Sequence, residues 1–307
     1  MRHLLTLTLA LVVTTSLFSV APALGETKKI YFMAGNRSHG YGAHEFNAGS
    51  LLMKKLLEAK YEGLECVVYR SGQWPKDVEK ELGDAASIVI FSNGGGGHPA
   101  NRRLKELDAL MKKGIGMACL HYAVEVPKGE PGNYFVEWIG GYFETHWSVN
   151  PHWVAEALKM NDHPVTNGVK PFKVNDEWYL HMRFREKMRG VTPVLSAIAP
   201  ASTMKRKDGA HSGNPHVRKA VANKQPQHLG WVYQRGSDYG NGRGFGFTGL
   251  HYHWNFGDDN FRRLVLNGVA WTARLKVPKD GINTPTPSRA ELEENQDYPK
   301  PKPRKKK

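Results

Sequence analysis

Cysteine is nearly missing: Cys66 and Cys119 are the two in 307 residues. Each sits in an apolar run that reads as a core strand, and the two strands are not expected to be neighbours. A disulfide framework is therefore excluded, and the fold must be held by its core. Beyond the first twenty residues there is no second long apolar run, so the body of the chain offers no membrane span. Also missing are H-E-x-x-H, the Lys-Ser/Thr that completes a P-loop, and a G-x-G-x-x-G that opens a helix. No internal repeat and no nucleic-acid module pattern occur, although the formal charge is +14. That charge is scattered. Residues 276–307 hold nine Lys/Arg against five Asp/Glu, and the body from 26 to 275 keeps +9 without a basic helix face. Nucleic acid is not an expected partner.

What is present begins with Arg2 and His3, an apolar run from Leu4 to Val20, and the small-residue pattern Ala23-Leu24-Gly25. This order predicts a secretory signal over 1–25, hence an exported protein, periplasmic or extracellular. The remaining chain divides into a folded body, 26–277, and a tail, 278–307. Its prolines, charges and final lysines predict a disordered, solvated end, dispensable to the fold.

Within the body, apolar strands alternate with amphipathic helices. Strands are predicted at Lys29–Ala34, Leu64–Tyr69, Ser87–Phe91, Ile115–Leu120, Leu229–Gln234 and Arg243–Thr248, with helices after Gly42, at Asn101–Lys113 and at Asp259–Arg274. Near-continuous apolar strands point to an α/β fold with a parallel sheet covered by helices on both faces. The alternation breaks between 133 and 184 and again over Asp208–Asn223, which read as inserted loops or short extra strands.

Ligands of open parallel sheets bind beyond the carboxyl ends of the strands. That rule gathers His39 and His44, the loop Gly94 to His98, His121, and His251 with His253 at one edge. In Cys119-Leu120-His121-Tyr122-Ala123, a sharp turn presenting one side chain needs small residues two positions either side. His121 has Cys119 and Ala123 there and is the better tip; Cys119 would have Met117 and His121, and reads as a packing thiol. The segment Asp176-Glu177-Trp178-Tyr179 sets carboxylates beside aromatic rings, which suits a sugar. Fourteen histidines raise a divalent metal as a cofactor, but no spacing among them is diagnostic. Gly94–Gly97 could present bare amides to an anion or hydroxyl, or be a turn without ligand.

Five ordered segments then carry a resemblance: Ser38-His39-Gly40-Tyr41-Gly42-Ala43-His44-Glu45, Cys119 to Glu125, Gly140-Gly141-Tyr142-Phe143, Asp176 to Tyr179, and Gly244 to Gly249. Together they resemble the ThuA-like (trehalose utilisation) domain family across about 30–275. The resemblance implies a flavodoxin-like, class I glutamine-amidotransferase-like fold and a link to the breakdown of trehalose or keto-sugars. True amidotransferases place glycine two residues after the elbow cysteine and a His-x-Glu pair late in the chain. Here His121 takes the glycine position and no such late pair occurs, so glutaminase chemistry is disfavoured.

The expected function is an enzyme acting on a small carbohydrate, with His121 as general acid or base and Glu177 as its carboxylate partner. His39, His44, Tyr122, Trp178, Tyr179 and His251 are the expected substrate-binding residues. The alternative is a non-catalytic carbohydrate-binding protein in which Trp147, Trp178, Tyr179 and Trp254 are stacking platforms. The sequence leaves the oligomeric state open.

Overall fold

A computed structural model describes residues 27–156 and 159–302; the segment predicted as a signal lies outside the described residues. Seven strands form the central sheet: β1 (Lys28–Ala34), β2 (Leu64–Tyr69), β3 (Ala85–Phe91), β4 (Gly116–Leu120), β5 (Val191–Ile198), β6 (Pro226–Gln234) and β7 (Arg243–Phe247). Their spatial order is β2-β1-β3-β4-β7-β6-β5. The first five neighbours pair in parallel, and β6 runs antiparallel to both β7 and β5. The run β2-β1-β3-β4-β7 has the flavodoxin-like order, with the direction of winding reversing between β1 and β3.

The alternation of side chains across each strand explains why the strands are apolar throughout. Ile30, Phe32, Val89, Phe91, Ala118 and Leu120 face one core layer. Tyr31, Met33, Ile88, Ile90, Met117 and Cys119 face the other. Helices α1 (Phe46–Lys60) and α5 (Asp259–Thr272) bury their apolar faces in the first layer, while α2 (Leu104–Lys112) and α3 (Glu130–Ile139) cover the second. Both cysteines are free and buried, with two strands, β1 and β3, between theirs in the sheet. Among the described residues no helix is long and apolar enough to cross a membrane.

Several elements escape the sequence pattern, among them helix α3, which runs into the stretch 133–184 expected to hold loops or short extra strands. β5 carries Pro193, which is tolerated because β5 is the edge strand. Helix α4 (Pro215–Ala222) lies in the stretch read as polar; it is short, anchored by Val217, Ala220 and Val221, and capped by the Asn214 side chain accepting from Val217 N. The region 133–184 contributes two small antiparallel pairs, Gly141–Tyr142 with Arg183–Phe184 and Trp153–Ala155 with Val174–Asp176.

The expectation of a disordered tail from 278 is corrected. Residues 278–302 fold back onto the body: Ile282 and Leu292 are buried, and a short helix α6 (Arg289–Glu293) starts with a capping box of Ser288 and Glu291. Asp297 closes the strap, its backbone N–H donating to Glu45 Oε2 and its Oδ1 accepting from Asn47 Nδ2. Two apolar anchors ten residues apart make no periodic signal, yet each has a built partner. Lysines 305–307 lie outside the described residues.

Candidate metal centre and cleft

Four ligand-type side chains converge beyond the carboxyl ends of the sheet. His44 follows β1, His121 ends β4, His251 follows β7, and Glu177 comes from the small pair Trp153–Ala155 with Val174–Asp176 just after its last residue. All four are buried, and one potential ligand atom from each lies within 4.8 Å of every other. His44 Nε2 is 2.9 Å from His121 Nε2 and 3.0 Å from His251 Nδ1. Glu177 Oε2 is 3.5 Å from His121 Nε2 and 3.4 Å from His251 Nδ1.

Local backbone makes this possible at a cost. His44 and His121 adopt left-handed φ of 52° each, and Leu250, beside His251, has φ of 89°. Such conformations in side-chain-bearing residues cost roughly 1–3 kcal/mol and cluster where function requires them. Asp176 secures the last of these turns. Its carboxylate, fully buried, accepts from the backbone N–H groups of Leu250, His251 and Glu177 and from Asn255 Nδ2. Burial pushes the Asp176 carboxyl up to about 6, against the pull of those donors. The elbow at His121 stands as expected, and Gly94 lets it close: a Cβ there would meet Tyr122 O at 2.2 Å. Gly94 and Gly95 therefore serve packing, while Gly96 and Gly97 border open space; Gly95 N donates to Glu125 O, and Asn101 Nδ2 donates to Gly95 O.

Hydrogen-bond accounting shows what this cluster wants. His121 Nδ1 lies 2.8 Å from Thr248 O, so that nitrogen carries the proton and donates, which leaves the Nε2 lone pair aimed at the centre. His44 Nε2 faces two other ring nitrogens and could donate a proton to only one of them. Its Nδ1 is buried with no partner among the described residues. Burial, then the neighbouring rings, hold His44 well below the ordinary histidine range, and burial brings His121 down to about 3 despite Glu177. For Glu177, burial alone would raise the carboxyl, but the His251 hydrogen bond and the nearby imidazoles outweigh it and hold the group ionised. Neutral His44 and His121 beside an ionised carboxylate are protonation states a metal site requires. A tetrahedral ion with bonds of about 2.0–2.1 Å would separate its ligands by roughly 3.4 Å. Four of the six separations, 2.9 to 3.5 Å, bracket that value, and all six are within 4.8 Å. Three nitrogens and one oxygen suit a zinc-like divalent cation better than magnesium or calcium.

In front of the cluster lies a cleft of about 280 Å³. His39, His44 and Glu177 form its inner side; Tyr122, Tyr179, Asn150, Arg206 and His211 complete it. His39 lies over His44 with ring centroids 3.7 Å apart. Asn150 Nδ2 donates to Glu177 Oε1, and Arg206 Nη2 donates to Asn150 Oδ1.

Of the expected site residues, His39, His44, His121, Glu177, His251, Tyr122 and Tyr179 come together here. Two expectations need correction. Trp178 does not bind substrate: it is fully buried, with its ring against Phe247 and Phe261 and its indole N–H directed to Val174 O. Burial, a committed Nδ1 and a pKa near 3 also make His121 unsuited to the acid-base role expected of it, and suited to that of a ligand. His98 caps a turn and bonds Ala123 O, and His253 packs on Phe256, both away from the cleft. Cys119 is buried with its thiol pushed up by desolvation, so it is no nucleophile. Asn150, Arg206 and His211 carry no motif that marks them in advance, nor does His152, whose Nε2 is 3.5 Å from Glu177 Oε1. They sit in the irregular insertions; only the density of polar and aromatic residues there marked the region.

Fold and site together define a flavodoxin-like α/β protein with a histidine-carboxylate centre at the carboxyl edge of its sheet. The sequence model of the ThuA family, described as trehalose utilisation, matches residues 25–272, and the chain belongs to that family. Among solved structures, it is similar to a ThuA-like protein from Bacteroides uniformis ATCC 8492, with TM-score 0.55 and 18% identity over 83% of this chain and 95% of that one. A ThuA-like protein from Parabacteroides merdae ATCC 43184 is similar at 17% identity and TM-score 0.49, over 87% and 99% of the two chains. No curated protein matches the chain.

Proposed function

We propose that this protein is an exported, divalent-metal-dependent enzyme of carbohydrate breakdown, acting on trehalose or a keto-sugar derived from it. The observation that carries the reading is the meeting of His44, His121, His251 and Glu177 at hydrogen-bond distances that protons alone cannot satisfy. The family's description supplies the carbohydrate. When bound, the ion would act as a Lewis acid on a carbonyl or hydroxyl oxygen.

The chain's own residues divide the remaining work. His44 and Glu177 line both centre and cleft, so a molecule in the cleft meets them directly. Tyr179, whose phenol burial drives well above its ordinary pKa, stays a neutral hydroxyl, and Tyr122 is likewise raised by burial. With Asn150 they offer donors and ring faces to sugar hydroxyls and C–H patches. The alternative of a binding protein with indole platforms loses its support, because Trp178 is core, Trp147 packs on His181, and Trp254 lies under Arg289.

Metal analysis of the purified protein, with turnover on trehalose, other disaccharides and their keto derivatives, tests the reading. We expect about one divalent ion per chain, and turnover lost on chelation and restored by zinc or a similar ion. A protein that binds no divalent ion and stays inert on every sugar would refute it.

A further inference from the structure

The carboxylate of Glu125 is buried behind His211 of the cleft wall, and a buried carboxylate is costly unless paired. Its side-chain partner among the described residues is His211, whose Nε2 lies 2.9 Å from Glu125 Oε1. The two come from distant parts of the chain, Glu125 from the turn after β4 and His211 from the loop before α4. His211 is held on three further sides. Its ring stacks on Phe143 at 5.4 Å, and its backbone carbonyl accepts from Asn150 N and Arg206 Nη2. The half-exposed ring forms part of the cleft wall, and its Nδ1 takes no protein partner among the described residues. The place where a Gly95 Cβ would stand is 3.1 Å from Glu125 Oε1, so a larger residue there would crowd the carboxylate.

We propose that His211, oriented by Glu125, is the proton-transfer residue of this cleft, with Nδ1 as the exchanging atom. The inference rests on reading the cleft as an enzyme site. With Nε2–H committed to Glu125, the neutral ring presents an Nδ1 lone pair. That lone pair takes the proton of a substrate hydroxyl: the O–H bond breaks with its electrons left on oxygen, and an N–H bond forms. Glu125 compensates the imidazolium charge across Nε2–H, and the same proton returns to a product oxygen, so no further reactant is consumed. The charged groups facing His211 agree with this. The Glu125 hydrogen bond leads in raising its pKa above the ordinary histidine value, burial opposes it, Glu177 adds to the rise, and Arg206 counters it. The ring thus changes charge nearer neutrality than His44 or His121, which are held neutral. Glu125 is a positioning residue, since it acts through His211.

The test uses the full chain with metal, on whichever sugar the wild type turns over. His211→Gln should lower kcat by about 10² to 10⁴ with metal per chain unchanged. Glu125→Gln keeps the shape and should move the acidic limb of the pH–rate profile to lower pH. Imidazole nitrogen resonances, assigned through His211→Gln, should show the Nε2–H tautomer and a titration that falls by at least about half a pH unit in Glu125→Gln. Unchanged kcat in His211→Gln, or a His211 titration indifferent to Glu125, would overturn this inference while leaving the metal reading intact. A wild type inert on all sugars would instead remove the enzyme reading, and the proton-transfer role with it. If His211→Gln fails to fold, the pH–rate profile of Glu125→Gln decides alone.

Discussion

The cleft has two walls of different construction. The inner wall, His44, His121, His251 and Glu177, is buried, and its members touch one another. His121 sits directly at the carboxyl end of β4, while His44 and His251 lie on the loops that follow β1 and β7 and are tied together by His44 N donating to His251 O. The outer wall, Asn150, Arg206 and His211, comes from the irregular chain between the regular elements, is partly exposed, and is joined by Arg206 Nη2 donating to Asn150 Oδ1 and to the His211 carbonyl. Rigid strand ends suit a fixed ligand geometry; loops suit recognition and proton exchange, which need access. On the proposed reading, the same fold separates holding an ion from handling a substrate.

Breaking the inner wall should have the largest effect. His121→Ala removes a ligand and leaves Thr248 O and His44 Nε2 without their partner, so bound metal and turnover should both fall by at least about 10²-fold. Asp176→Asn sharpens the point without touching a ligand. It loosens the Leu250–His251 turn, and metal affinity should fall by about 10- to 100-fold. Calorimetric metal titration of both variants checks this. Wild-type affinity in His121→Ala would show that the four residues are not one centre.

How much of this contrast was legible in the sequence follows the same division. The parallel strands announced themselves because burial on both faces makes them continuously apolar, and the strand-end rule then placed His39, His44, His121 and His251 correctly. What periodicity could not convey was direction within irregular chain. Trp178 and Tyr179 are adjacent, yet one indole is sealed in the core and the other ring faces the cleft. The acid-base role went to His121 because the elbow exposes a tip in sequence terms, whereas the tip here points into a desolvated cluster. His211 and Arg206 were hidden in a polar stretch whose meaning depends on Glu125 and Asn150, far away in the chain.

The tail offers an intermediate test, since it braces the inner wall from behind. Glu45, next to His44, accepts from Gly42 N with one oxygen and from Asp297 N with the other. Ending the chain at Lys279 removes that brace, exposes the ground covered by Ile282 and Leu292, and takes Thr284 from the buried Arg262. Two buried aliphatic side chains contribute roughly 1.5–3 kcal/mol each, part of it offset by ordering entropy. A net loss of about 2 kcal/mol corresponds to a Tm drop of about 4–8 °C in a chain of this size class. Thermal unfolding of the truncated protein should show it, together with weaker metal binding through the His44 loop. An unchanged Tm would return the segment to the status of a solvated tail.

The smallest effect should come from the outer wall. Arg206 is exposed, and its Nη2 bridges Asn150 Oδ1 and the His211 carbonyl without entering the metal centre. Replacing it with Gln removes the charge and the bridge but opens no buried cavity, so stability should stay within about 0.5 kcal/mol. Bound metal should be unchanged. Turnover should suffer mainly through KM, raised several-fold, because Asn150 and His211 lose a tether that orients them toward substrate while the inner wall remains as built. A drop in metal content as large as that of Asp176→Asn would mean that the outer wall holds Glu177 through Asn150, and that the two walls are one energetic unit.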